Sequence, residues 1–159
     1  MMMDKVVVDS SVAIKWFVVE PYSVEAHYIL EEYQAGTLTL LAPDLLYAEV
    51  GNIVWKKHRF QGLAAEDAEE VLAAFRLVTF SVTSCAALLE EAYRLAVTHQ
   101  RTVYDAMYLA LSLREHCRWV TADERIVNAL GATFPQIIWV ANWPQRTTRA
   151  EHRPAADTQ

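Results

Sequence analysis

Four acidic side chains stand where the chain is otherwise apolar or where a strand is predicted to end: Asp9, Glu49, Asp105 and Asp123. If the fold brought them together, they would resist ionising at once, because like charges in a shared site repel each other. A divalent cation would relieve that repulsion, and a ligand set made only of oxygens suits Mg²⁺ or Mn²⁺ better than zinc. The sequence therefore predicts a metal site if these four residues meet.

Asp9 and Asp123 each follow or end a predicted strand, the first and the fourth along the chain. In an open α/β sheet, ligands bind beyond the carboxyl ends of the parallel strands, so both side chains are expected on that rim. The alternative role for each is local, because an aspartate in front of a helix accepts hydrogen bonds from its first backbone amides.

Asp105 lies near the start of a predicted helix whose residues are apolar on nearly every side. A carboxylate there would be partly desolvated, which is unfavourable unless a cation or several donors compensate. Thr102 stands three residues earlier, at the spacing of a capping box, so local capping is the alternative role for Asp105.

Glu49 interrupts the apolar stripe of another predicted helix. Its neighbours at i−4, i−3 and i+4 are Leu45, Leu46 and Ile53, and charged residues normally occupy the opposite face. A metal ligand is one interpretation of this position. A buried ion pair with a basic residue elsewhere in the chain is the other.

The same helix continues from Glu49 through Asn52, Lys56 and Arg59. We expect the Asn52 amide to orient groups at the site, and Lys56 and Arg59 to contact substrate phosphates. The alternative for the two basic residues is a solvated helix end, where positive charge is favoured by the helix dipole. Tyr104 and Tyr108, by contrast, are predicted to be packing residues.

Short apolar runs alternate with helical segments, which predicts an α/β fold with three layers, α/β/α, around a mostly parallel sheet of about five strands. The strands are predicted at residues 5–9, 37–43, 78–83, 118–123 and 137–140. The helices are predicted at residues 11–18, 24–34, 44–59, 65–76, 86–100, 103–116 and 124–130. Helix ends are expected at Gly36, Gly62 and Gly131, because glycine is common just after a helix.

The chain of 159 residues is predicted to form one domain over residues 1–143, followed by a disordered tail over residues 144–159 that is polar and lacks periodicity. A net charge of −6 argues against unspecific coating of nucleic acid. Cys85 and Cys117 form no CxxC pair, and no apolar run reaches the length of a membrane span, so we expect a cytoplasmic protein that does not enter the membrane.

Four segments together resemble the PIN-domain nucleases, and within them the VapC-type toxins of type II toxin–antitoxin pairs. The segments are VVVDSSVAIKWF, APDLLYAEVGNIVWK, TVYDAMYLALSLR and VTADERIVNAL. The resemblance implies that the four acids are the catalytic and metal-binding quartet. It also implies that the hydroxyls of Ser10 and Thr121 support them.

The function implied by the resemblance is that of an endoribonuclease dependent on Mg²⁺ or Mn²⁺, in which metal-activated water hydrolyses RNA phosphodiesters. It further implies a homodimer and a cognate antitoxin protein as partner. Two alternatives stay open at this point, a PIN nuclease of RNA maturation and a PIN-fold module that binds RNA or protein without catalysis. Aspartyl phosphatases and nucleotide-binding classes are disfavoured, because the chain lacks DxD after the first strand and lacks GxxxxGK[ST] and GxGxxG.

Overall fold

The computed structural model of the protein describes residues 3–144. Five strands form one sheet, and all four neighbouring pairs are parallel. The strands are β1 Asp4–Val8, β2 Leu38–Pro43, β3 Ser81–Thr83, β4 Arg118–Thr121 and β5 Ile137–Trp139, and their order across the sheet is β3-β2-β1-β4-β5. The predicted tail lies outside the described residues from residue 145 onward, so its disorder stays a prediction.

Helices cover both faces of the sheet. In the described residues they are α1 Ser10–Ala13, α2 Ser23–Gln34, α3 Leu45–Phe60, α4 Ala65–Arg76, α5 Cys85–His99, α6 Val103–Glu115 and α7 Glu124–Leu130, with 3₁₀ turns at Ile14–Trp16 and Val140–Asn142. The three-layer α/β/α prediction is confirmed. None of the helices in residues 3–144 combines the length and the apolar character needed to cross a membrane.

The central strand β1 shows why the sequence of this sheet is apolar without alternation. Val6 and Val8 pack into a core with helices α1 to α4, whereas Val7 packs into a second core with α5, α6 and α7. A strand that is buried on both faces needs an apolar side chain at every position. The sheet is therefore the middle layer, and only the strand ends are available for a polar site.

The strand order places the predicted site. β1 and β4 are hydrogen-bonded neighbours, and Val8 is in register with Val120. Asp9 follows Val8 and begins α1, while Asp123 follows β4 and begins α7. Two carboxylates more than a hundred residues apart in the chain thus reach the same rim of the sheet.

Several predicted elements are shorter in the structure, among them β3 and the first helix. β3 begins at Ser81 rather than at residue 78, because the Val78 amide donates to the Phe75 carbonyl and so completes the end of α4. The first helix is a single turn, α1, and the chain then tightens into the 3₁₀ turn Ile14–Trp16.

Helices α2, α3 and α7 end at or just before the three predicted glycines, but only two of these glycines are left-handed. Gly36 and Gly62 adopt left-handed backbone angles after α2 and α3, as predicted. Gly131 keeps a helical φ of −63° at the end of α7. Helices α5 and α6 end instead at Gln100 and His116, which adopt left-handed angles although neither is glycine.

The left-handed position at His116 generates a stability prediction. His116→Gly should raise the free energy of unfolding by about 0.5–1 kcal/mol, because relief of left-handed strain outweighs the extra freedom that glycine gives the unfolded chain. Urea denaturation of both proteins measures the difference. His116→Ala is the matched control, since it also removes the imidazole but keeps the Cβ that causes the strain. Equal stabilisation by both variants would contradict the prediction.

Candidate active site

All four predicted acids line one small cavity. It has a volume of about 80 Å³ and lies at the carboxyl ends of β1 and β4, between the starts of α1, α6 and α7. Ser10, Ser11, Tyr108 and Trp119 complete most of its wall. We call this cavity the acid pocket. The acids that the sequence separates by up to 114 positions therefore meet, as expected from their places on the fold.

Asp9 is the most deeply buried of the four acids, with 5 % of its surface exposed. Its Oδ1 accepts from the Ser11 amide at 3.0 Å and from the Ser11 hydroxyl. Its Oδ2 accepts from the Trp119 indole N–H at 3.1 Å. Burial raises the pKa of Asp9, and these hydrogen bonds counteract the rise. The N-cap role weighed for Asp9 is thus real, and it coexists with a position in the pocket.

Glu49 projects from α3 into the same pocket, where it accepts a hydrogen bond from the phenol of Tyr108. Within residues 3–144 it forms no ion pair with a lysine or arginine, so the buried ion pair considered for Glu49 is not what the structure contains. Burial raises the pKa of Glu49, and the nearby charges of Asp9 and Asp105 raise it further. The Glu49 carboxylate is therefore held by the Tyr108 hydroxyl, and no lysine or arginine of residues 3–144 neutralises its charge.

Two aromatic side chains form the floor of the acid pocket. The rings of Tyr108 and Trp119 stack with centroids 5.9 Å apart and planes 15° from parallel. Each donates one hydrogen bond to an acid, Tyr108 to Glu49 and Trp119 to Asp9. Tyr108 does pack in the core, as predicted, but its hydroxyl also holds a carboxylate in place. The same prediction for Tyr104 was wrong, since that side chain is 64 % exposed.

Asp105 occupies the first turn of α6. Thr102 caps this helix, with its hydroxyl accepting from the Asp105 amide at 3.1 Å, so the predicted capping threonine is confirmed. The Asp105 carboxylate lies 3.5 Å from the guanidinium of Arg101. Burial raises the pKa of Asp105, Arg101 opposes the rise, and the charge of Asp123 adds to it. Arg101 is a cation at the site that the sequence reasoning did not identify.

Asp123 caps α7, which is the local role considered for it. Its Oδ1 accepts from the Arg125 amide at 3.0 Å and lies 3.4 Å from the Arg125 Nε. Its own amide donates to the hydroxyl of the buried Thr121 at 3.1 Å. Thr121 thus supports Asp123 through the backbone.

The hydroxyls around the acids are arranged differently from the prediction. Ser10 lines the pocket, as expected for a supporting residue. Ser11 is more extensively engaged, since its hydroxyl donates to Asp9, accepts from the Ala122 amide at 2.9 Å and lies 3.5 Å from the Thr121 hydroxyl. Ser11 therefore ties the end of β1 to the end of β4, a role that the sequence did not indicate.

The predicted substrate-contact residues on α3 lie apart from the acid pocket. Asn52, Lys56 and Arg59 are exposed and do not line it. The Arg59 guanidinium lies over the ring of Phe60, 5.6 Å from its centroid. The structure does not bring these three residues to the acids, and a contact with substrate farther out remains a prediction.

The donor chemistry of the acid pocket fits a hard divalent cation. Carboxylate and hydroxyl oxygens line it, and no thiol or imidazole is among its lining residues. Three of its acids have a pKa raised by burial, which an added positive charge would reverse. In the described residues, however, no three acidic, histidine or cysteine side chains are arranged as ready metal ligands. Asp105 and Asp123 instead face arginines.

Comparison with known proteins places the chain in a family. Residues 6–130 match the PIN domain family. The chain is 34 % identical over 139 residues to the protein named ribonuclease VapC3 of Pyrobaculum aerophilum, an alignment that covers 84 % of this chain and 98 % of the relative.

Two solved structures share the fold. The crystal structure of PAE2754 from Pyrobaculum aerophilum has a TM-score of 0.58 and 26 % identity, and the match covers 88 % of this chain and 93 % of the other. The crystal structure of Mycobacterium tuberculosis VapC20, named as a sarcin-ricin loop cleaving toxin, has a TM-score of 0.54 and 19 % identity, and the match covers 74 % of this chain and 87 % of the other. The extent of the family match and the identity to VapC3 show that this chain belongs to the PIN-domain family, as a VapC-type member.

Proposed function

We propose that the protein is a ribonuclease that depends on Mg²⁺ or Mn²⁺ and hydrolyses RNA phosphodiesters at the acid pocket. The observation that carries the proposal is the meeting of four carboxylates, distant in sequence, in one cavity of about 80 Å³. Asp9, Glu49, Asp105 and Asp123 would hold the metal. A divalent cation bound there supplies two things, a lowered pKa for water and stabilisation of the charge that develops on the phosphate.

The other residues of the pocket have positioning roles in this proposal. Trp119 and Ser11 hold the Asp9 carboxylate, and Tyr108 holds that of Glu49, so both acids are oriented before any ligand arrives. Such supporting contacts limit the reorganisation that binding requires. Ser10 and Thr121 retain their proposed supporting roles. No side chain is assigned as a nucleophile, so a covalent enzyme intermediate is not expected.

Arg101 and Arg125 are each paired with an acid at the pocket, Asp105 and Asp123. Their positive charge offsets part of the repulsion between the carboxylates. With a divalent cation held by the acids, Arg101 and Arg125 would be released from these pairs to contact an anionic phosphate. Both are therefore better placed than Lys56 and Arg59 to contact the RNA backbone close to the reaction.

The cellular role proposed is that of a toxin whose partner is a cognate antitoxin, in a homodimer located in the cytoplasm. The support is the identity to a protein named ribonuclease VapC3, together with the shared fold of VapC20, which is described as a toxin. A small reading frame beside this gene, whose product binds the protein and blocks its cleavage of RNA, would agree with the toxin role. Its absence would favour a nuclease of RNA maturation.

Asp105→Asn should abolish cleavage of RNA in the presence of Mg²⁺ or Mn²⁺ while leaving the fold intact. We expect a loss greater than the roughly 10- to 100-fold that removal of a supporting residue causes, because a proposed metal ligand is lost. Cleavage of total RNA, with and without chelator, measures it. Asp67→Asn, an exposed aspartate on α4, is the matched control and should retain activity. Cleavage by Asp105→Asn at the wild-type rate would show that Asp105 is not a metal ligand of the reaction.

Glu49→Gln should stabilise the metal-free protein at neutral pH, although it abolishes activity. The raised pKa of Glu49 means that the folded state binds more protons than the unfolded state, so this residue destabilises the fold increasingly as pH rises through and above its usual ionisation range. Thermal unfolding in chelator should show no advantage of the variant at acid pH and a growing one toward neutral pH. A constant difference across pH would contradict this electrostatic origin.

Tyr108→Phe should weaken metal binding by roughly 10- to 100-fold, the range observed when an outer hydrogen-bond partner of a ligand is lost. The phenyl ring keeps the stack on Trp119, so the change removes only the hydrogen bond to Glu49. Titration with Mn²⁺ measures the affinity, and unfolding measurements confirm the fold. Unchanged affinity would mean that Tyr108 packs in the core without positioning Glu49.

A further inference from the structure

The acid pocket is too small to hold the substrate itself. Its volume of about 80 Å³ has room for ions and a few waters, each of which occupies roughly 30 Å³ in the liquid. The nucleotides on either side of a phosphate placed at the acids must therefore lie outside it. The surface next to the acid pocket is where they would have to bind.

A wider cleft adjoins the acid pocket and shares Ser11 and Asp123 with it. This flanking cleft has a volume of about 610 Å³, within the roughly 300–1,000 Å³ of small-ligand sites. Its walls are the segment that connects α1 to α2, the start of α7 and Trp139 of β5. Two other clefts, of about 620 and 350 Å³, include Asp4 and Leu38 at the opposite ends of the strands, so they are remote from the acids.

Tyr22 presents an aromatic ring at the flanking cleft. It is 41 % exposed, and its edge-to-face partner is the half-buried Trp139, with ring centroids 5.2 Å apart. Its backbone is left-handed, with φ of 68°, a conformation that is strained for a bulky side chain. Strained residues of this kind are concentrated at ligand sites, where the surrounding structure maintains them.

The segment that carries Tyr22 is fixed by hydrogen bonds on both sides. The Ser23 hydroxyl accepts from the Glu20 amide at 2.9 Å and donates to the Val18 carbonyl at 3.2 Å. The Tyr22 carbonyl accepts from the Ala26 amide at 3.0 Å. The ring is therefore held in place before any ligand binds, which reduces the entropy lost on binding.

Charged side chains of both signs line the flanking cleft: Lys15 and Arg125 are its cations, and Glu20, Asp123 and Glu124 are its acids. Glu20 bridges Lys15 at 3.3 Å and Lys57 at 2.7 Å, and the two lysine side chains are only 11 % and 13 % exposed. Burial acts to raise the pKa of Glu20, but the two lysines outweigh it and the pKa is lowered, so these three side chains carry one net positive charge. Across the cleft, the Arg125 side chain is 86 % exposed.

We propose that the flanking cleft binds the nucleotide next to the scissile phosphate of a single-stranded RNA, an inference that rests on the ribonuclease function proposed above. The base stacks on Tyr22, with Trp139 behind it. Lys15 and Arg125 contact the adjoining phosphates. The RNA is single-stranded because a base can stack on a protein ring only when it is free of its own duplex.

The test measures the affinity of short, random-sequence, single-stranded RNA for the full chain carrying Asp105→Asn, so that binding is separated from cleavage. In that background Tyr22→Asn should weaken binding about 5- to 150-fold, the range that stacking of one base on a ring covers. Asparagine tolerates the left-handed backbone, so the change removes the ring without adding strain. Tyr22→Phe keeps the ring and should bind like the parent.

Tyr93→Asn is the matched control, because Tyr93 is a similarly exposed tyrosine on α5, away from the cleft, and its loss should not change the affinity. Lys15→Gln should lower the slope of log affinity against log salt by about 0.7, the signature of one lost phosphate contact on a single strand. A purely structural role for Lys15 would leave that slope unchanged.

The proposal is overturned if Tyr22→Asn binds as tightly as its parent, if Tyr22→Phe and Tyr22→Asn lose affinity equally, or if the parent binds no single-stranded RNA. Cleavage by the wild-type chain is assayed in parallel, so that the ribonuclease function and RNA binding at the flanking cleft are tested separately. Cleavage with an unaffected Tyr22→Asn variant refutes the flanking cleft alone. Weakened binding by Tyr22→Asn without any cleavage by the wild type supports the cleft and refutes the nuclease.

Discussion

Repulsion among carboxylates that are buried or half-buried shapes the acid pocket and its surroundings. Asp9, Glu49 and Asp105 have pKa values raised by burial, and Glu49 and Asp105 are raised further by the charges of neighbouring acids. A chain selected only for stability has no reason to place so much like charge in one small cavity. The arrangement is explained if the cavity exists to hold a cation, with the stability of the metal-free fold reduced as a consequence.

The fold provides this concentration of charge without strain in the sheet. Every interior position of β1 is needed for the two cores, so polar groups are confined to the strand ends. Parallel pairing brings the ends of β1 and β4 together, and the helices that begin there add Asp105 and the first-turn amides. Below the acids, the stacked Tyr108 and Trp119 connect the pocket to the core on one face of the sheet. The buried sheet thus positions the acid pocket at the carboxyl ends of its strands.

The sequence was sufficient for the fold class and for the acids, because both depend on strong patterns. Non-alternating apolar strands predict a sheet covered on both faces, and carboxylates at strand ends predict a shared rim. Supporting residues were harder to identify. Arg101 precedes α6, so helical periodicity does not connect it with Asp105, and the apolar setting of Tyr108 conceals the role of its hydroxyl. Only the side-chain directions reveal that Ser11 is more extensively bonded than Ser10.

The residues predicted on α3 illustrate a different limit. A helix rises 1.5 Å per residue, so Lys56 and Arg59 lie roughly 10 and 15 Å along the axis from Glu49 although they continue the same edge. Helical periodicity identifies a face but not how far along it a site extends. The cleft beside Tyr22 was not predictable either, since its wall combines α1, α7 and β5 and includes a left-handed residue that no local pattern indicates.

Whether the acid pocket holds a divalent cation is tested by calorimetric titration of the wild-type protein with Mn²⁺, repeated in buffers of different ionisation enthalpy and compared with Asp9→Asn. We expect saturable binding by the wild type, accompanied by release of protons from the acids on the acid side of neutrality, and strongly weakened binding by the variant. Absence of Mn²⁺ binding to the wild type, or equal binding by both proteins, would contradict it.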